Sequence, residues 1–291
     1  MCELLGLNFA RPVAADFTLS AFSLRDEENA DGWGLAWYAD RSLNVVKEPL
    51  SWRKSRYASF LESYNGLLSH MYIGHVRHAT VGGEPKHADT HPFQAELGGR
   101  NYCFAHNGTV RGALETLPLG RFHPIGQTDS EHVFCSILSE IAERGGSLAA
   151  EPEWTWLAER FAAINAMGKF NCLLSDGDRL FAYHDVNGFK GLHFHGVRMR
   201  GNEVEHLEDI SMEMQLESES ENRGIIVATR PLTDHGWHSF QRGELMVLED
   251  GRLVYSSMRT TCHRHPAKAA LAQAREAPAS ARPRSTTAEA G

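Results

Sequence analysis

The sequence predicts an α+β fold in which antiparallel hairpins cluster and a few amphipathic helices lie between the clusters. Three observations carry this expectation. Residues 170–174 and 180–183 are short apolar runs joined by Ser175-Asp176-Gly177-Asp178, whose Asp-Gly pair supplies positive φ at little cost. Residues 244–248 and 253–255 repeat the device across Asp250-Gly251. Over 129–144, Val133, Phe134, Ile137, Leu138 and Ile141 recur at helical spacing behind Thr128 and Glu131, which form a capping box.

The remaining elements follow in chain order. Residues 2–9, Cys-Glu-Leu-Leu-Gly-Leu-Asn-Phe, read as a buried strand that starts almost at the terminus. Most termini fray, so burial here asks for a reason. Further strands are expected at 34–39 with 43–46, at 71–77 and at 102–106, and further helices at 57–64 and 152–167. Residues 203–221 hold eight acidic residues and no Lys or Arg, which predicts a solvated loop or flap. From about His263 the chain turns Ala-, Pro-, Ser- and Arg-rich, with too little apolar content to pack. The expected organisation is one domain over residues 2–262 and a disordered tail over 263–291.

Composition narrows the function classes. A net charge of −8 without a basic stripe offers no surface for neutralising phosphates, so nucleic acid is not an expected partner. No stretch approaches the roughly 20 apolar residues of a membrane span, and the start lacks the basic and apolar pattern of a signal peptide. The five cysteines, Cys2, Cys103, Cys135, Cys172 and Cys262, are scattered and contain no C-x-x-C pair, which favours a reducing compartment and a cytoplasmic protein. Among sixteen histidines, His75, His78, His87, His91 and His106 are the candidates for a metal site. Their spacing fits no H-E-x-x-H helix, and Pro92 argues against a helical His87/His91 pair. No metal and no cofactor are expected.

Cys2 is the first candidate for chemistry. Removal of Met1 would leave a thiol and a free α-amine on one residue, and an amine with a pKa of about 7.7 to 8.0 can take the thiol proton and return it to a leaving group. Taken alone, position 2 reads first as a small buried hydrophobe. Behind it come Asp31-Gly32-Trp33-Gly34, then 74–82 (Gly-His-Val-Arg-His-Ala-Thr-Val-Gly), then Phe104-Ala105-His106-Asn107-Gly108, then Gln127-Thr128-Asp129-Ser130-Glu131. Singly, each has a structural explanation as a turn, a strand end or a helix cap.

In this order behind an N-terminal Cys, the motifs resemble the class II glutamine amidotransferases, members of the N-terminal-nucleophile hydrolases, and most closely their stand-alone YafJ-like subgroup. The resemblance covers roughly residues 2–255, and Ala228-Thr229-Arg230-Pro231-Leu232-Thr233 with Trp237 matches the subgroup's later pattern. It implies a four-layer αββα sandwich of two antiparallel sheets and cleavage of the side-chain amide of glutamine or a γ-glutamyl compound. It also implies Cys2 as nucleophile, with Asn107 and Gly108 as the oxyanion hole. Arg77 matches the residue that grips the substrate α-carboxylate and Asp129 the one that pairs with its α-ammonium, while His78 and Thr80 fall where the family lines the pocket. The chain departs from the pattern at His78, where many members have Trp, at Val81, where larger synthetases have His, and at Thr90, where Asn is expected. These departures bear on specificity more than on catalysis. The alternatives are a γ-glutamyl peptide or conjugate hydrolase using the same residues, and a non-catalytic glutamine-binding module. No synthetase domain is visible after the glutaminase-like region, so use of released ammonia would call for a partner polypeptide.

Overall fold

The computed structural model describes residues 2–17, 31–64, 67–77, 85–200, 204–207, 210–213 and 221–259. His78, Thr80, Val81, Cys262 and the tail expected over 263–291 lie outside the described residues.

The chain opens with β1 (Glu3–Phe17), then β2 (Gly32–Ala39) and β3 (Ser42–Glu48). A 3-10 turn at Trp52–Lys54 and a helix at Arg56–Ser63 lead to β4 (Leu68–Arg77). Next are β5 (Phe93–Leu97), β6 (Arg100–Val110) and the helices Asp129–Glu143 and Glu151–Asn165, with a single turn at Ala113–Thr116 between them and β6. The second half is strand-rich: β7 (Gly168–Ser175), β8 (Arg179–Tyr183), β9 (His193–Arg200), β10 (Val204–Leu207), β11 (Ile210–Glu213), β12 (Glu221–Ala228), β13 (Trp237–Ser239), β14 (Leu245–Glu249) and β15 (Arg252–Ser256).

These strands form two antiparallel sheets. The first runs β13-β9-β12-β1-β4-β2-β3, with β11 also on β1 and β10 on β11; the second runs β15-β14-β8-β7-β6-β5. Period-two alternation gives each sheet two apolar faces, and three separate cores cover them. Leu5, Leu7, Phe9, Trp33 and Tyr72 of the first sheet pack outward against Trp52, Ala58 and Leu61. Leu4, Ala36, Met71 and Ile73 face inward onto Cys103, Ala105, Leu173, Ala182 and Met246 of the second sheet. The outer face of the second sheet carries Phe104, Phe170 and Phe181, against Phe134, Leu138, Trp154, Leu157 and Phe161 of the two long helices. Helix, sheet, sheet and helix are therefore the layers, and the expected αββα sandwich is the fold observed.

The turn chemistry shows why the hairpins form where they do. Asp250 (φ 50°) and Gly251 (φ 66°) are both left-handed, as a two-residue hairpin between β14 and β15 requires, whereas in the longer β7–β8 turn only Gly177 (φ 91°) is. At the helix start the expected capping box forms by half. Thr128 accepts from the Glu131 N–H, but the Glu131 carboxylate accepts from the Ile125 and Gly126 N–H groups instead of turning back to the cap.

Within the acidic stretch over 203–221, residues 203, 208–209 and 214–220 lie outside the described residues, and the expected loop is corrected at two short strands. Val204–Leu207 and Ile210–Glu213 pair with each other, and the latter also pairs with the far end of β1. Ile210-Ser211-Met212-Glu213 alternates with period two, a strand pattern that the acid count obscured. Strands β5, β9, β12 and β13 lie outside the strands expected from the sequence.

Candidate active site

The site builds up from the N-terminal strand. Leu4 lies in the inter-sheet core, so alternation places Cys2 on the same side, at the rim of the sandwich. The start of β1 is clamped from β12. The Leu4 N–H donates to Thr229 Oγ1 at 2.8 Å, the Thr229 N–H donates to the Leu4 carbonyl at 3.1 Å, and Arg230 Nη2 meets Glu3 Oε1 at 2.6 Å. Burial raises the Glu3 pKa although Arg230 opposes it. This clamp answers why a terminus is ordered here.

Cys2 differs from the other described cysteines. It is partly exposed, whereas Cys103, Cys135 and Cys172 are buried. Burial pushes the Cys135 thiol up to about 12, and Cys103 and Cys172 also well above the ordinary thiol value, so those three are poor thiolates.

Asn107 reaches Cys2 from the other sheet. Its Nδ2 donates to the Cys2 carbonyl oxygen at 2.7 Å, joining residues 105 apart in sequence. A carboxamide nitrogen has two hydrogens, and this contact uses one. Gly108 follows, with no room for a side chain, since a Cβ would lie 2.0 Å from the Lys169 carbonyl oxygen and 2.8 Å from His106 Nε2. His106 is buried between Ser130 Oγ, 2.8 Å from Nδ1, and the Lys169 carbonyl, 3.1 Å from Nε2. A carbonyl only accepts, so Nε2 carries the proton and, in the neutral ring, Nδ1 accepts from the Ser130 hydroxyl. Burial lowers the His106 pKa, with Asp129 opposing, which favours that neutral ring.

Arg77 ends β4, on the inward side with Ile73. The Glu3/Val76 pair brings Cys2 and Arg77 to the same end of neighbouring strands. Arg77 Nη1 is buried and has no hydrogen-bond partner among the described residues. Asp129 begins its helix, with Oδ2 accepting from the Val110 N–H at 2.6 Å and Oδ1 from the Ser130 N–H at 2.9 Å. It therefore ties the end of β6 to the helix, two residues from Gly108.

Cys2, Asn107, Gly108 and Arg77 thus gather at one end of the sandwich, with Asp129 beside the end of β6. Sequence reasoning left Thr229 and Arg230 without a role, although the motif containing them was visible. It also left the buried His75/His91 pair, whose rings lie 4.3 Å apart next to Arg77's strand end, without a structural explanation. In Asp31-Gly32-Trp33-Gly34 the cause is packing. Trp33 is buried edge-on to Trp52, and a Cβ on Gly34 would lie 2.2 Å from the His91 carbonyl oxygen.

No helix among the described residues is long and apolar enough to cross a membrane. The sequence pattern of the class-II glutamine amidotransferases matches residues 1–272. An uncharacterized protein of Methanocaldococcus jannaschii is 39% identical over 272 residues, covering 90% of this chain and 73% of that one. YafJ of Escherichia coli K12 is 32% identical over 255 residues, covering 84% of this chain and 96% of its own. Among solved structures, that of a predicted glutamine amidotransferase from Pseudomonas aeruginosa PA01 superimposes with a TM-score of 0.65 at 27% identity, covering 87% of this chain and 100% of that one. With the family pattern spanning the described fold and the relatives matched over most of their length, the chain belongs to the class II glutamine amidotransferases.

Proposed function

We propose that the chain is a glutaminase that cleaves the side-chain amide of glutamine or a γ-glutamyl compound through a thioester on Cys2. The observation that carries the reading is the 2.7 Å contact from Asn107 to the Cys2 carbonyl, which fixes an amide donor of one sheet beside the thiol-bearing residue of the other. With Met1 removed, the α-amine of Cys2 takes the thiol proton and Sγ attacks the amide carbon. The second Asn107 N–H and the Gly108 N–H stabilise the oxyanion, a task in which one donor is worth about 10²–10³ in rate. The amine proton passes to the leaving nitrogen, the C–N bond breaks, and ammonia or an amine departs. Water then attacks the thioester carbon, releasing glutamate and restoring the thiol.

Arg77 grips the α-carboxylate in this reading, and its unpartnered buried Nη1 supports the role. Asp129 pairs with the α-ammonium, because each carboxylate oxygen has a lone pair left beyond its bond to Val110 or Ser130. His78 and Thr80 line the pocket on the strength of the family pattern alone. Among the described residues Cys2, Cys103, Cys135 and Cys172 form no disulfide with one another, which suits the reducing cytoplasm. Ammonia released here would be consumed by a partner polypeptide or lost to solvent.

Head-group specificity tests the reading. Removing one substrate charge leaves Arg77 or Asp129 facing an empty, partly desolvated site, at a cost of about 2 to 5 kcal/mol. N-acetylglutamine and glutamine α-amide should each lose at least about 30-fold in kcat/KM relative to glutamine, measured as release of ammonia, with the product checked as acetylglutamate or the α-amide of glutamate. If N-acetylation costs nothing, Asp129 is only a helix-start acid.

A further inference from the structure

A cavity of about 910 Å³ opens where β6 ends and β7 begins, lined by Thr109, Arg111, Lys169, Asn187 and Phe189 among others. Its position relative to Cys2 follows from strand alternation. On β6, Cys103 and Ala105 face the inter-sheet core, so Asn107 and Thr109 share that face; on β7, Leu173 does, so Asn171 and Lys169 share it. Asn107 pairs with Asn171, and Thr109 with Lys169. Thr109 and Lys169 of its wall therefore lie one side-chain step, about 6.5 Å, beyond the residue that touches Cys2 and on the same face, while Asn165 and Met167 close the cavity from the helix side.

Its wall carries two cations, Arg111 and Lys169, against one anion, Asp185. Among the described residues neither Arg111 nor Lys169 forms an ion pair. The acid in the wall, Asp185, is buried and already committed. Its Oδ1 accepts from the Asn187 and Phe189 N–H groups and its Oδ2 from Asn165 Nδ2 and the Phe170 N–H. Burial pushes the Asp185 carboxyl up, but these donors outweigh it and leave the pKa below the ordinary value, so the carboxylate stays ionised and holds the turn that presents Phe189. Asn171 Nδ2 fixes the same turn by donating to the Phe189 carbonyl at 2.6 Å. The Phe189 ring lies 4.7 Å beneath Lys169 Nζ. The cavity is thus preformed, cationic and floored by an aromatic ring.

We propose that this cavity is a leaving-group subsite that takes an anionic amine, so that the preferred substrates are γ-glutamyl amino acids or peptides bearing a free carboxylate. The proposal rests on the glutaminase reading above. There Arg77 and Asp129 take the glutamyl head group, and the group bonded to the scissile nitrogen needs separate room adjoining Asn107. Ammonia needs no such room, whereas a carboxylate-bearing amine would meet Lys169 and Arg111.

The test compares glutamate release from glutamine, γ-glutamylglycine and γ-glutamylglycinamide by wild type, Lys169→Gln and Arg111→Gln. The last two substrates differ only in the leaving-group charge. Both cations are solvent-accessible, so the expected preference for γ-glutamylglycine in kcat/KM is about tenfold, narrowed by each variant. In wild type alone, raising the salt from 50 to 500 mM should narrow the same ratio, a readout that does not depend on the variants folding. Equal rates for the two conjugates, hydrolysis of glutamine alone, or a ratio indifferent to salt and to both substitutions overturns the subsite and leaves the glutaminase standing. Failure of all three substrates removes the glutaminase reading and the subsite with it.

Discussion

Asn107 holds the Cys2 carbonyl in the resting protein and, in the proposed mechanism, the oxyanion in the transition state, and kinetics separate the two roles. The oxyanion exists chiefly in the transition state, so Asn107→Ala should lower kcat by about 10²–10³ while KM changes little. The ground-state contact is a single hydrogen bond, worth about 1 kcal/mol, so thermal denaturation should shift by only a few degrees. Steady-state kinetics on glutamine beside a melting curve makes the comparison. A raised KM at unchanged kcat would reassign Asn107 to substrate binding. At this scale motifs far apart in the sequence meet in the structure: Asn107 touches Cys2, and Arg77 ends the strand paired with β1. The sequence was silent on Lys169, because the strand pairing that sets it beside Thr109 links residues 60 positions apart and leaves no mark in local pattern.

Among the elements, β2 illustrates how a motif can be right in place and incomplete in meaning. Gly34 reads from sequence as a strand residue next to a turn-like pair, but the structure makes it the point where the strand passes under the His91 carbonyl. Gly34→Ala should therefore destabilise by about 2 kcal/mol or more, since the obstacle at 2.2 Å is backbone, with Pro92 and Lys47 on the other sides at 2.8 and 2.9 Å. Lys47 cannot yield freely, because its Nζ donates to the Thr90 and Pro92 carbonyls at 2.6 and 3.2 Å. Chemical denaturation of the variant checks this, and an unchanged midpoint would mean that the 87–92 segment shifts without cost. Elements bounded by strong local chemistry were legible: Asp250-Gly251 between β14 and β15, and Thr128 ahead of its helix. Strands β9 and β12 were not. His193–Arg200 buries only Val197 and Met199 fully, and its ladder depends on partners from residue 221 onward.

For the whole molecule, the layered architecture puts several histidines where protonation is costly. Burial lowers the pKa of His91 well below the ordinary value, with His75, His106, Lys47 and Arg77 adding to the effect, and burial also lowers those of His106 and His184. A histidine whose folded pKa is depressed leaves the unfolded chain binding more protons, so stability is complete above the unfolded value of about 6.5 and is lost as pH falls below it. Glu3 and Asp176, raised by burial, act in the opposite sense at lower pH. The melting temperature should drop between pH 7 and pH 5.5, and His91→Gln should flatten that slope; a melting temperature indifferent to pH in wild type would contradict the account. The αββα order of layers was legible only through the family pattern. Hairpins and helices announce α+β by themselves, but which sheet face meets which is decided by long-range pairing such as β1 with β12 and β4.

The central claim, that Cys2 is the nucleophile, is tested most directly by labelling. A diazo-ketone analogue of glutamine carries the head group that Arg77 and Asp129 are proposed to hold; its ketone carbon takes the place of the amide carbon, and the adjoining diazo carbon, in place of the amide nitrogen, alkylates the thiol with loss of dinitrogen. Intact mass followed by peptide mapping should show a chain that begins at Cys2, one label per molecule, all of it on that residue, with glutamine protecting against the reaction. Buried Cys103, Cys135 and Cys172, with thiol pKa values raised by burial, should stay unmodified. Label on another cysteine with Cys2 untouched, or Met1 retained on an active protein, would contradict the account.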